Sequence, residues 1–177
     1  CLGILIDELS KILNAYQQQI ELNLKTPIPY SNYIKWLENT KNGYSLGYWN
    51  NYLKGYNSIV EIPSKKMSSE NVVYVKSKES IIISGDLYAS INNLCSSIGI
   101  TKNTFMQCVW GYLLSKYNNT KDVVFGSVVS GRPAEIDGIE DMIGLFINTI
   151  PVRIQYSESE TALELLRKIQ DEAIAST

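Results

Sequence analysis

The spacing of apolar residues changes once along this chain, and that change constrains what it can fold into. Leu2, Leu5, Leu9, Ile12, Leu13, Tyr16 and Ile20 recur at helical spacing, with Asp7, Glu8, Lys11 and Gln18 off the apolar face. Pro27 and Pro29 cannot continue that helix. Ser31 is placed to cap a short second helix carrying Tyr33, Ile34 and Leu37, and Asn42-Gly43 reads as a turn. Tyr44, Tyr48 and Tyr52 then repeat every four residues beside Trp49 and Leu53, until Gly55 stops the helix. An aromatic stripe at that spacing is read as core packing.

Residues from about Tyr56 to Asn71 carry Pro63, Ser64, Lys65, Lys66, Ser68 and Ser69 and read as a connecting segment. Beyond it strand-like and helical patterns alternate. Val72 to Val75 and Ile81 to Ile83 have the β-branched run of strands. Asp86 is a candidate cap for a helix with Leu87, Ile91, Leu94, Cys95 and Ile98 inward and Gly99 at its end. Thr101 opens a further helix with Phe105, Val109, Leu113, Leu114 and Tyr117 on one face. Val123 to Ser130 is a strand, Gly131, Pro133 and Gly138 make a loop, and Leu145 to Ile154 is a second strand expected in the same sheet. Thr161 and Glu164 have the spacing of a capping box before a last helix through Leu165, Leu166 and Ile169. This order predicts an α/β fold.

Composition excludes several function classes. Apolar residues make up 45% of the chain, enough for a packed core, and a net charge of -2 argues against a nucleic-acid-binding surface. No apolar run is long enough to span a bilayer, and no basic segment precedes Leu2, so no signal peptide or membrane partner is expected and the location is read as cytoplasmic. Cys1, Cys95 and Cys108 lack metal-ligand or redox spacing and read as buried thiols of a reducing compartment. The chain has no His, so no Ser or Cys has a histidine base, and no catalytic residue is assigned within it. It opens at Cys1 inside an apolar pattern, which reads as part of a longer protein. Glu135, Asp137, Glu140 and Asp141 cluster among Pro133 and Gly138 as a solvated loop, and no metal site is expected. No phosphate-binding loop or dinucleotide fingerprint is present.

One stretch is not bland. Residues 125–133 read Phe-Gly-Ser-Val-Val-Ser-Gly-Arg-Pro, and residues 143–153 read Ile-Gly-Leu-Phe-Ile-Asn-Thr-Ile-Pro-Val-Arg. Glycines at 126, 131 and 144 allow close backbone approach. Asn148 and Thr149 are polar within an otherwise apolar strand, so Asn148 either ties two elements together or faces a polar channel.

This stretch closely resembles the signature of peptide-synthetase condensation domains, in which a Ser-Gly-Arg-Pro loop precedes Ile-Gly-x-Phe-x-Asn-Thr-x-Pro-x-Arg; Ser130 through Arg153 fill every fixed element. Tyr30 to Trp36 resembles the family's Tyr-x-Asp-Tyr-x-x-Trp element, with Asn32 in place of Asp, and Tyr48 to Leu53 resembles the Tyr-Trp-x-x-Tyr-Leu that follows. In the family an HHxxxDG motif stands immediately before a helix like Leu2 to Tyr16.

The resemblance implies a two-lobed fold like chloramphenicol acetyltransferase, incomplete in this chain, with the active site in a tunnel between lobes. Residues 1–55 would end the N-terminal lobe, 56–71 would link the lobes, and 72–177 would start the C-terminal lobe. It implies amide formation between two carrier-protein-bound thioesters in antibiotic biosynthesis or other secondary metabolism. The expected partners are upstream and downstream carrier proteins, which bring phosphopantetheine arms, and a neighbouring adenylation domain. Ser130, Gly131, Arg132, Asn148 and Thr149 are the expected tunnel lining or its support. Arg132 is placed either to meet the phosphopantetheine phosphate or to pair with Glu135 or Asp137. Without the histidine motif, residues 1–177 alone are expected to be inactive. The rival readings are a non-catalytic scaffold that docks carrier proteins and a stand-alone acyltransferase, with epimerisation and heterocyclisation relatives less well matched by the Ile143-to-Arg153 stretch.

Overall fold

In a computed structural model of the chain, the residues described are 2–40, 44–63 and 76–176. Among these, the order is α1 (Leu2–Gln18), α2 (Ser31–Thr40), α3 (Tyr44–Tyr52), α4 (Gly85–Ile98), α5 (Lys102–Tyr117), β1 (Asp122–Ser130), β2 (Ile147–Gln155) and α6 (Ala162–Ala175). None of the described helices is long and apolar enough to cross a membrane.

The helix boundaries follow local chemistry. Gln19 at φ 52° and the bond from Ile20 N–H to the Ala15 carbonyl (3.1 Å) end α1 well before the prolines, because a left-handed residue already turns the chain out. Gly55 (φ 77°) follows α3, and Gly99 (φ 73°) closes α4 as anticipated. Ser84, not Asp86, is the N-cap of α4, and Asp86 lies in the first turn, where a carboxylate suits the helix dipole. Thr101 caps α5 by accepting from Thr104 N–H, and Thr161 with Glu164 forms the anticipated capping box of α6. Asn42, Gly43 and Val72 to Val75 lie outside the described residues. Ile81 to Ile83 are not a strand; Ile81 and Ile82 are 91% and 87% exposed, and among the described residues no strand offers them a ladder to join.

The two strands form one sheet. Gly131 N–H donates to the Phe146 carbonyl at one end (2.6 Å), and Tyr156 N–H donates to the Lys121 carbonyl at the other (3.0 Å). Each residue backward along β1 is therefore matched by one forward along β2, so the pair is antiparallel. That register sets Val129 opposite Asn148, Val128 opposite Thr149, and Ser130 opposite Ile147.

The residues gather into two compact units, 1–54 with 128–150, and 55–127 with 151–177. In the first unit Tyr33, Ile139, Met142 and Phe146 are buried, with Ile28, Tyr30, Trp36, Leu37 and Ile136 packed around them. Segment 128–150 is thus grouped with 1–54, and Phe146 enters the aromatic cluster of α2, a pairing that linear periodicity does not register. α1 contributes only Ala15 among its buried residues.

In the second unit α5 packs on α4 and α6 around Cys95, Cys108, Leu114, Val123, Ile154 and Ile169. The inward face of α5 is Thr104, Cys108, Gly111, Leu114 and Ser115. Val109, Leu113 and Tyr117 point outward, so of the face read from periodicity only Phe105, half-buried, and Leu114 reach the core. The helix is apolar on both sides, and spacing cannot choose between two apolar faces. The buried polar groups are tied: Thr104 Oγ1 donates to Gln170 Oε1 (2.8 Å), and Ser115 shares a hydrogen bond with the Tyr156 hydroxyl (2.7 Å). Of the expected connector, residues 56–63 belong to this unit, with Val60 against its core and Glu61 bonded through its backbone to the Asn118 side chain.

Candidate functional site: the loop between the two strands

Residues 131–146 return the chain from β1 to β2, and they are held as a clasp. Gly131 opens it. A Cβ there would lie 3.0 Å from the Phe146 carbonyl oxygen and 3.3 Å from the Tyr33 hydroxyl, so the close strand approach favours glycine. Arg132 comes next. Its guanidinium donates to the carbonyls of Ile139 and Met142, the latter at 3.0 Å, and lies 3.9 Å over the Phe146 ring. One planar cation thereby satisfies turn carbonyls and stacks on an aromatic face, which a lysine ammonium does poorly.

The aromatic side of the clasp comes from the chain about a hundred residues earlier. Tyr30 donates its hydroxyl to the Leu145 carbonyl (2.7 Å) and meets Phe146 edge-on at 5.4 Å. Tyr33 sits 4.8 Å from Phe146 and stacks on Trp36 at 6.1 Å. Gly144 admits the Tyr30 ring, since a Cβ there would fall 2.7 Å from Tyr30 Cγ and nearer still to other ring atoms. The Tyr30–Trp36 element and residues 131–146 of the Ser130–Arg153 element pack together. Both were singled out by resemblance, but only the fold brings them together.

The five expected site residues do not converge on one face. Side chains alternate along a strand, so Ser130 and Thr149 project from one face of the sheet and Asn148 from the other. Ser130, Asn148 and Thr149 are all exposed, and the Asn148 side-chain oxygen accepts from Thr149 N–H (2.8 Å). Asn148 is thus not a buried tie between elements within this chain. Gly131 and Arg132 are half-buried. Arg153, at the end of the signature, grips Asp122 in two-pronged fashion, Nε to Oδ1 at 2.8 Å and the second prong to Oδ2 at 2.6 Å, and so clamps β2 to β1.

Other chemistry-bearing groups are quiet. Cys95 and Cys108 are buried free thiols, and burial pushes Cys108 up to about 11, which keeps it protonated and unreactive at neutral pH. Cys1 lies outside the described residues. Among the described residues no cluster of three or more His, Cys, Asp or Glu side chains could hold a metal ion. A cavity of about 620 Å³ in the first unit is lined by Glu8 and by two ion pairs, Lys11 with Asp7 (2.6 Å) and Lys25 with Asp141 (3.2 Å). The Asp7 carboxylate holds the Lys11 ammonium above its ordinary range.

The sequence profile of the family described as Condensation domain matches residues 1–176. The chain belongs to the condensation-domain family. It is 42% identical over 176 residues to bacitracin synthase 1 of Bacillus licheniformis, covering 99% of this chain and 3% of that protein. It is 40% identical over 175 residues to tyrocidine synthase 3 of Brevibacillus parabrevis, covering 99% of this chain and 3% of that one. Among solved structures, it is similar to the first condensation domain of the CDA synthetase, with a TM-score of 0.72, 13% identity, and coverage of 98% of this chain and 38% of that one. A chain in the complex of the X-domain and OxyB from teicoplanin biosynthesis gives a TM-score of 0.74 at 18% identity, covering 99% and 40%. The chain thus spans a few per cent of the synthases it matches and about two fifths of the solved chains. Its fold is part of the chloramphenicol-acetyltransferase-like condensation fold, and its relatives are synthases of peptide antibiotics.

Proposed function

We propose that the protein containing this chain forms an amide between two carrier-bound substrates, and that residues 1–177 supply part of the tunnel wall and its support. The amine nitrogen of an aminoacyl thioester attacks the thioester carbonyl carbon of an acyl or peptidyl group. The C–N bond forms, the C–S bond breaks, and the departing phosphopantetheine thiolate receives the proton the amine gives up. A thioester is already activated, so alignment and stabilisation of the oxyanion make up most of the task. One observation carries this reading: the condensation-domain match runs through residues 1–176 and includes the whole Ser130–Arg153 signature.

Within that reading, Ser130, Asn148 and Thr149 are the exposed members and serve as lining, while Gly131 and Arg132 hold the clasp that presents them. Arg132 acts through the loop it ties, rather than on a phosphate. Residues 1–55 end the N-terminal lobe, 56–71 link the lobes and 72–177 start the C-terminal lobe. The partners are donor and acceptor carrier proteins and an adenylation domain, in a cytoplasmic synthetase. The chain has no His, so residues 1–177 by themselves are inactive.

The test is dipeptide formation from loaded donor and acceptor carriers. The parent protein is expected to form product and the isolated chain none. In the parent, Asn148→Ala is expected to lower turnover more than Asn93→Ala, a change on the exposed side of α4. A parent that binds both carriers without forming product would favour a docking scaffold. Product from the isolated chain would overturn the assignment of lining without catalysis.

A further inference from the structure

Residues 56–63 follow Gly55 into the second unit without forming a helix or a strand. They are held at separate points. The Tyr56 ring lies 5.7 Å from the Arg153 guanidinium, Val60 rests half-buried against the core, and the Glu61 peptide meets Asn118. Ile59 and Ile62, on either side of these last two, are 84% and 61% exposed.

Asn118 is built to receive this segment. It caps the C-terminus of α5, and its Nδ2 donates to the Leu114 carbonyl (2.9 Å) as well as to the Glu61 carbonyl (3.0 Å). Its Oδ1 accepts from Glu61 N–H (2.9 Å). The bond to Leu114 lies within α5 and orients the amide whether or not Glu61 is present. The other two offer one donor and one acceptor, as the peptide of a neighbouring strand would.

We infer that residues 56–63 are a detachable strap, which leaves and re-docks as a whole while the core of the second unit stays folded, with the Asn118 side chain as its dock. Little apolar surface holds the strap, and much of its length is open to water, so its release costs far less than opening of α5 or α6. With residues 56–71 linking the lobes as proposed above, release lengthens that link by up to about 26 Å, at roughly 3.3 Å per extended residue. The detachment itself does not rest on that assignment.

Amide hydrogen exchange of the parent protein, resolved by residue, tests it without catalysis. In the unsubstituted parent the Glu61 amide is expected to exchange at least about 100-fold faster than that of Ile169, which is buried on α6, yet at least about tenfold slower than in the unfolded chain. Adding about 1 M urea should change the Glu61 rate less than about twofold and raise the Ile169 rate about tenfold, because only global unfolding exposes the core. Asn118→Ala is expected to speed the Glu61 amide at least about tenfold. Val60→Ala, which keeps both Glu61 bonds, should speed it at least about threefold, since the strap leaves as one piece. Equal rates and equal urea dependence at Glu61 and Ile169 would overturn the inference, because the segment would then open only with its unit. A Glu61 amide exchanging as in the unfolded chain, or one indifferent to Val60→Ala, would overturn it equally.

Discussion

Gly111→Ala should destabilise the protein even though alanine is the better helix former. Gly111 lies in the middle of α5 on the buried face, directly over β2. A Cβ at this position would sit 2.7 Å from Ile154 Cβ and 3.2 Å from its Cγ2, with Cγ1 closer than either. Ile154 is fully buried beside Val123 and Ile169, so it has nowhere to retreat. Relief of glycine's backbone entropy is worth about 1 kcal/mol in a helix interior. Overpacking a filled core costs about 1–3 kcal/mol, and more where the obstacle is a Cβ rather than a flexible tip. The clash wins, with a net loss of about 1–2 kcal/mol, or roughly 2–8 °C in melting temperature for a domain of this size. Urea unfolding of the parent measures it. Ile154→Ala alone costs about 2–5 kcal/mol by cavity formation, but combined with Gly111→Ala the loss should fall short of the sum by at least about 0.5 kcal/mol, since the new methyl occupies vacated space. A Gly111→Ala protein as stable as the original, or additive losses in the pair, would refute the close packing of α5 on β2.

Arg132→Ala removes charge-assisted bonds to two loop carbonyls and the Phe146 stacking, and should cost about 2–4 kcal/mol in urea unfolding of the parent. Arg132→Lys should recover less than half of that loss, because an ammonium cannot reproduce the planar fork. Glu164 is held below its ordinary value of 4.5 by the Thr161 backbone N–H and hydroxyl. Its contribution is therefore fully present above about pH 5 and fades as pH falls through the lowered folded value, so the stability gap between the original protein and Thr161→Ala should narrow on acidification, followed by urea midpoints at stepped pH.

Element types were legible wherever a local signal sufficed. Thr101, Thr161 with Glu164, and Gly99 act where their spacing placed them, because caps and left-handed stops depend on nearest neighbours. Which side of a helix is buried was less legible. On α5 Met106, Val109 and Leu113 are as apolar as Cys108 and Leu114, and the choice between them comes from Ile154 and α6, distant in sequence. Ile81 to Ile83 show the same limit for strands, since β-branched content measures fit to a sheet and cannot supply a neighbouring strand.

The candidate site was legible as a set of residues and not as an arrangement. Ser130, Gly131, Arg132, Asn148 and Thr149 were chosen for their residue types and resemblance, and those criteria cannot say that Gly131 and Arg132 face into the clasp while Ser130, Asn148 and Thr149 face out. The antiparallel register decides that, and it rests on the clasp closing at Gly131 and Phe146. Closure in turn depends on Tyr30 and Tyr33 lying against Phe146, and on Gly144 leaving room for the Tyr30 ring. A signature read as chemistry thus divides into two physical parts. Its glycines, arginines and Phe146 build the loop and strand pair, and the exposed polar residues beside them are left to meet whatever the loop presents them to. A change at Gly144 should therefore act on Ser130 and Asn148 together, although it touches neither.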